Sequence, residues 1–225
     1  MTLTQKIIFI TEIIGTVAFA FSGSIIGIRR KMDVFGVIIL GEFTAVGGGA
    51  IRDILLGLFP PMLFRNPVYV TVAFVTSLTV FCFVYRWQSK LTNRSMDKFM
   101  PYLDFCDSIG LAAFTVVGAD TAIANGFVDN SFLVVFVATL TGVGGGVLRD
   151  LMAGITPVIF RKQIYALASI IGGIFYVNVR RYSTTYAIFT AFFLVILIRA
   201  LARKFRLDLP VAKINKVQNN KTKEE

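Results

Sequence analysis

Seven apolar runs, each close to the length of a bilayer-spanning helix, follow one another along the chain at roughly 7–28, 34–57, 67–85, 104–125, 131–154, 164–179 and 184–202. A spanning helix needs about 20 mostly apolar residues, and the connections between most of these runs are short and polar, such as Arg29 to Asp33 and Asn125 to Asn130. The chain is 56% hydrophobic and only 16% charged, with a mean hydropathy of +0.73; soluble domains are nearer a quarter charged. These features predict an all-α integral membrane protein. Its transmembrane domain is expected over 1–206, ahead of a basic, disordered cytoplasmic tail at 207–225.

The net charge of +10 does not point to nucleic acid. The Lys and Arg punctuate the apolar runs as topology signals do, rather than gathering on one face. With the amino terminus outside, inward segments hold Arg29, Arg30 and Lys31; Arg86, Lys90, Arg94 and Lys98 of the longest linker; Arg161 and Lys162; and eight basic residues from Arg199 onward. Outward segments hold Lys6, Arg65, Arg180 and Arg181. The excess of basic residues predicts an external amino terminus and a cytoplasmic carboxyl terminus. Tyr69, Tyr85, Trp87, Tyr102, Tyr165, Tyr176 and Tyr182 lie near run ends, where amphipathic rings favour the interface. Ala18-Phe19-Ala20 resembles a signal-peptidase site, but Glu12 inside the run and the repeat described next argue that the first span is retained. The chain has no histidine and two cysteines, Cys82 and Cys106, without CxxC spacing. The commonest general base and metal ligand are therefore missing, and enzymatic function is not expected.

The first and second halves repeat each other. At an offset of 95, Glu12, Gly15, Ala18, Phe19 and Gly23 fall on Asp107, Gly110, Ala113, Phe114 and Gly118. At an offset of 97, Thr44, Gly47, Gly48, Gly49, Arg52, Asp53, Gly57 and Pro60 fall on Thr141, Gly144, Gly145, Gly146, Arg149, Asp150, Gly154 and Pro157. After one deletion, Arg65 and Tyr69 fall on Arg161 and Tyr165. Each copy, about 6–88 and about 102–180, holds three spans. An odd number sends the second copy through the membrane from the opposite side. The expected architecture is a 3 + 3 inverted repeat plus a seventh helix at about 184–203.

Inversion brings VGGGAIRD (from Val46) and VGGGVLRD (from Val143) towards each other near mid-membrane. Glycine costs about 1 kcal/mol relative to alanine inside a helix, so these runs invite kinked or unwound second and fifth spans, tolerated where they line a wet cavity. The other reading is that small residues simply let two helices pack closely. An Arg or Asp at mid-membrane costs about 2.5–3.5 kcal/mol, and neighbours in sequence project about 100° apart on a helix, which disfavours pairing within Arg52–Asp53 or Arg149–Asp150. Crossed pairs, Arg52 with Asp150 and Arg149 with Asp53, are the expectation; snorkelling to the interface is the alternative. The glycines lack both the Walker spacing and the Rossmann context, so they do not read as a nucleotide cradle.

Paired GGGAIRD and GGGVLRD motifs on the second and fifth spans of a 3 + 3 + 1 chain resemble the prokaryotic trimeric intracellular cation (TRIC) channels, over nearly the whole sequence up to about Arg203. The resemblance implies a homotrimer in a prokaryotic inner membrane. Each subunit would carry its own pore between the kinked second and fifth helices, passing monovalent cations, chiefly potassium. It makes Gly47 to Gly49 and Gly144 to Gly146 hinges. Some bacterial relatives with the same motifs are credited with small amino-acid transport, which leaves a secondary carrier for a zwitterion such as glycine as the second reading. The lysine motif of the animal branch is missing, so lipid-coupled gating is not expected. No cofactor is implied beyond potassium or sodium as the permeant ion. Candidate cation-facing groups are backbone carbonyls at the glycines, the matched Thr44 and Thr141, the matched acids Glu12 and Asp107, and the unmatched Glu42 and Asp120. Arg52 and Arg149, neutralised by Asp53 and Asp150, would form a clasp or gate. The threonines have an ordinary alternative, bonding back to their own helices.

Overall fold

The structure, a computed structural model, describes residues 2–87, 100–161 and 164–205. Lys90, Arg94 and Lys98 of the long linker, Lys162 and the 207–225 tail lie outside the described residues. The rest is helical: α1 (Leu3–Arg29), α2 (Val34–Leu55), the one-turn α3 (Met62–Arg65), α4 (Val68–Trp87), α5 (Met100–Ala124), α6 (Ser131–Met152), the one-turn α7 (Val158–Arg161), α8 (Ile164–Arg180) and α9 (Thr184–Lys204). Six of these are long and apolar enough to cross a membrane, and α8, at 17 residues, is the shorter seventh. The long helices coincide with the seven apolar runs to within a few residues.

Local chemistry sets their ends. Thr2 and Gln5 form a capping box at the start of α1, with Thr2 N–H donating to Gln5 Oε1 at 2.8 Å. Asp33 accepts from Gly36 N–H at 2.7 Å, and Asn130 from Leu133 N–H at 3.0 Å. The two glycine-rich helices stop alike. After α2, Gly57 takes a φ of +70° and Leu58 N–H bonds back to Asp53 C=O at 2.8 Å; after α6, Gly154 takes +64° and Ile155 N–H bonds back to Asp150 C=O at 2.8 Å. This left-handed close is open to glycine without steric cost and satisfies the last carbonyls. It explains the shared Asp-x-x-x-Gly spacing.

Helix α5 is the most enclosed span, with 78% of its apolar stretch buried against 22% for the peripheral α4. Phe35, Phe132, Phe193 and Tyr186 instead project outward and exposed, as suits a surface bathed in lipid rather than water. Matched residues pack reciprocally. The Phe19 ring of α1 covers Gly110 of α5, while the Phe114 ring covers Gly15, and the two rings lie 5.3 Å apart. Advancing along α1 means retreating along α5, so the two helices cross antiparallel. Bulky rings fit there because glycine faces each of them.

Of the seven aromatic residues expected at the interface, Tyr69, Tyr165 and Tyr176 are buried instead. The Tyr69 and Tyr176 hydroxyls donate inward to Glu12 and Asp120, which satisfies them as well as headgroups do, while the Tyr165 hydroxyl is buried without a hydrogen-bond partner among the described residues. Tyr85, Trp87, Tyr102 and Tyr182 are exposed.

Candidate functional site

Helices α2 and α6 meet glycine to glycine. A Cβ on Gly48 would stand 2.5 Å from Thr141 C=O, one on Gly145 would collide with Thr44 C=O, and one on Gly144 would lie 3.2 Å from Gly48 Cα. Gly47 faces the Leu148 side chain and Gly146 the Tyr165 hydroxyl, while Gly49 has more room. Both helices keep helical backbone through their glycine runs, so the unwound turn is not what the residues form here. Close packing is: with no Cβ between them the two backbones touch, and no carbonyl has to leave its helical partner. Thr44 Oγ1 donates to Leu40 C=O at 2.5 Å and Thr141 Oγ1 to Val137 C=O at 2.6 Å. Each threonine hydroxyl bonds back within its own helix and faces a matched glycine, Gly23 or Gly118.

The Arg–Asp pairs lie one turn beyond this contact, and the expected crossed pairing does not form. Arg52 Nε and Nη2 both reach Asp53 Oδ1 at 2.8 Å, and Arg149 Nε and Nη2 both reach Asp150 Oδ1 at 2.9 Å. Two physical facts decide it. The guanidinium stem is long enough to fold along its own helix and close the 100° gap. The antiparallel register that sets Gly48 beside Thr141 also carries the two motifs away from each other, so Arg52 and Asp150 stand about 13 residues out of register, on the order of 20 Å. Snorkelling does not occur either, since all four residues are buried.

Each aspartate has a second duty that the sequence pattern did not reveal. Asp53 Oδ2 accepts from Met62 N–H at 2.7 Å, and Asp150 Oδ2 from Val158 N–H at 2.9 Å. These are the first residues of α3 and α7, so each carboxylate holds the start of a returning turn. Pro60-Pro61 and Pro157, which halt the chain just before those turns, are the only sequence signal for it.

The matched acids behave differently in the two copies. Asp107 is buried, and its Oδ1 receives Arg149 Nη1 at 2.6 Å; the same nitrogen donates to Ser22 Oγ on α1. Glu12 has no such ion pair among the described residues and instead accepts from the Tyr69 hydroxyl. Of the unmatched acids, Asp120 accepts from Tyr176 Oη–H at 2.7 Å, whereas Glu42 lies on α2 with no hydrogen bond or ion pair among the described residues. Ser22, Tyr69, Tyr176 and Arg199 were not among the expected site residues.

Two cavities flank the glycine contact. The first, of about 40 Å³, is lined by Glu12, Thr16, Gly49, Arg52, Asp53 and Tyr69, with room for a few waters. The second, of about 470 Å³, is lined by Arg29, Arg30, Asp104, Arg149, Asp150 and Thr156. Glu12 and Ile26, which touch the two cavities, are separated on α1 by 14 residues, or about 21 Å. The cavities therefore lie at opposite ends of the bundle. Between them lie the tight contacts of Gly145 with Thr44 C=O and the Phe19 ring, and of Gly48 with Thr141 C=O.

Comparison with known proteins agrees with this architecture. A family model described as glycine transporter matches residues 9–85 and again 104–181, together well over half of the chain. A UPF0126 membrane protein of Vibrio cholerae is 35% identical over 217 residues, covering 95% of this chain and 86% of its own length. The inner membrane protein YadS of Escherichia coli K12 is 36% identical over 208 residues, covering 91% and 95%. Among solved structures, one describing conductance through TRIC cation channels aligns with a TM-score of 0.78 at 36% identity, over 92% of this chain and 98% of that one. A prokaryotic TRIC channel crystallised in 0.5 M KCl aligns with a TM-score of 0.80 at 33% identity, over 91% and 100%. The TRIC orthologue of Rhodobacter sphaeroides aligns with a TM-score of 0.78 at 28% identity, over 89% and 99%. With full-length matches in both sequence and fold, this chain belongs to the prokaryotic TRIC family of multi-pass membrane proteins.

Proposed function

We propose that this protein is a channel for monovalent cations, chiefly potassium, rather than an enzyme or a nucleic-acid binder. It works without a resident cofactor, as a homotrimer in the bacterial inner membrane with one pathway in each subunit. The observation that carries this reading is the pair of polar cavities at opposite ends of the bundle, separated by a thin layer in which α2 and α6 meet through glycine. The path runs from the Glu12 cavity past Phe19, Gly48 and Gly145 to the Asp150 cavity. The glycine runs act as hinges: small bends in α2 and α6 separate Thr44 from Gly145 and Thr141 from Gly48, exposing backbone oxygens to a dehydrating cation. The family resemblance and the family's solved channels support the ion. The antiparallel crossings of α1 with α5 and of α2 with α6 support the inverted 3 + 3 + 1 reading, and the basic-residue bias supports an external amino terminus.

Purified protein in planar bilayers tests it. Unitary current steps with a reversal potential near that of potassium in a KCl gradient are expected. Silence at all voltages, or selectivity for chloride, overturns the channel reading.

One observation favours the carrier as a second reading. The Glu12 cavity places a guanidinium beside two carboxylates, a combination able to meet both ends of a zwitterion. Saturable uptake of labelled glycine by proteoliposomes, with no current steps, would select it.

A further inference from the structure

The seventh helix stands outside the repeat, yet it delivers a charge to the second copy alone. Arg199 of α9 is only 6% exposed. Its Nε donates to Ser108 Oγ at 3.3 Å, its Nη2 lies 4.0 Å from Asp107 Oδ2, and its guanidinium carbon sits 4.7 Å from the centre of the Tyr165 ring. Asp107 thus faces two arginines, Arg149 on one oxygen and Arg199 on the other. One turn on, Arg203 Nη2 donates to Asp104 C=O at 3.1 Å and to Ser108 Oγ at 3.3 Å.

Duplicated halves of equal charge would give two equivalent ends, and α9 breaks that equivalence. By formal charge, the first cavity sets Glu12 and Asp53 against Arg52. The second copy sets Asp107 and Asp150 against Arg149 and Arg199, and its cavity adds Arg30 against Asp104, with Arg203 alongside. The difference persists even if Glu12 carries a proton, because the second end still holds the cationic surplus. A cationic mouth lowers the local concentration of permeant cations, and an anionic one raises it.

We propose that Arg199 adds to an electrical asymmetry of the pathway, so that cations enter more readily from the Glu12 end than from the Arg149 end. This rests on the channel reading above.

Single-channel currents in symmetrical KCl test it, as the ratio of the larger to the smaller current at equal and opposite voltages. At 0.1 M, where screening extends about 10 Å, the wild-type ratio is expected to depart clearly from unity; at 1 M, with screening near 3 Å, it should approach unity. Arg199→Gln should bring the 0.1 M ratio about twofold nearer to unity. Arg199→Lys, which keeps the charge but not the planar fork, should preserve it. Ser108→Asp sets a carboxylate against Arg199 and Arg203 without removing either, and should act like Arg199→Gln even if that variant does not fold. A wild type that passes no current defeats the channel reading. A conducting wild type with a ratio of unity at 0.1 M overturns the proposal, as does a ratio that Ser108→Asp leaves unchanged or moves away from unity.

Discussion

At Gly145 the backbone of α2 occupies the space that a side chain would need. Gly145→Ala should therefore push α2 and α6 apart or fail to pack, lowering stability in detergent by about 1–3 kcal/mol, as overpacking does. Gly49→Ala, whose added methyl would meet nothing nearer than Arg52 Nη2 at 3.7 Å, should gain up to about 1 kcal/mol in a thermal-unfolding assay, because it removes a mid-helix glycine without a clash. Arg149 is the other constrained residue, bonded to Asp150, Asp107 and Ser22 at once. Arg149→Gln leaves the buried Asp150 without its cation and Asp107 with Arg199 alone at 4.0 Å, and should cost about 3–5 kcal/mol. Loss of folded protein on size exclusion is the expected readout, and a variant as stable as wild type would mean the cluster contributes nothing net. These two sites were unequally legible. The triple glycines and the buried charges stand out in the sequence because membrane spans rarely carry them. Their partners do not, because Ser22 and Asp107 come from helices 127 and 42 residues away in the chain, and only the packing of α1 and α5 brings them to Arg149.

At the scale of the element, the Arg-Asp-x-x-x-Gly segment is a helix stop with a built-in start for the next turn. Gly57 and Gly154 hold positive φ, and nothing lies within 4 Å of a Cβ at either. Alanine there would meet no clash and register backbone strain alone, a loss of about 1–2 kcal/mol, similar in the two copies if they are structurally equivalent. Unequal losses, read from unfolding midpoints of Gly57→Ala and Gly154→Ala, would argue against that equivalence. Helix positions were readable from apolar run length, since hydrocarbon thickness dictates it. The one-turn α3 and α7 were not, being too short to carry a period. The unwound glycine turn was expected from propensity alone, which omits the contact energy two touching backbones recover.

At the scale of the molecule, the reciprocal packing of Phe19 on Gly110 and Phe114 on Gly15 is what a two-fold axis between the copies produces. Cysteine-accessibility mapping from intact cells tests the topology that goes with it. A cysteine at Thr2 should react with an impermeant reagent from outside, and one at Met32 only after permeabilisation; the reverse pattern would invert the charge-based orientation. Cross-linking the purified protein should stop at three subunits if the family resemblance extends to assembly.

Sequence by itself determined the position and length of the apolar helices, and its internal matches carry the expectation of an inverted repeat. Each follows from covalent order and hydrophobic length, which no partner helix can change. Tertiary structure alone decided which charge meets which. Arg52 and Arg149 close on their own neighbours because the antiparallel register carries the two motifs apart. It also decided that Arg199, counted in the sequence as one more cytoplasmic cation, is a buried partner of Asp107, because α9 lies against α5 at that depth.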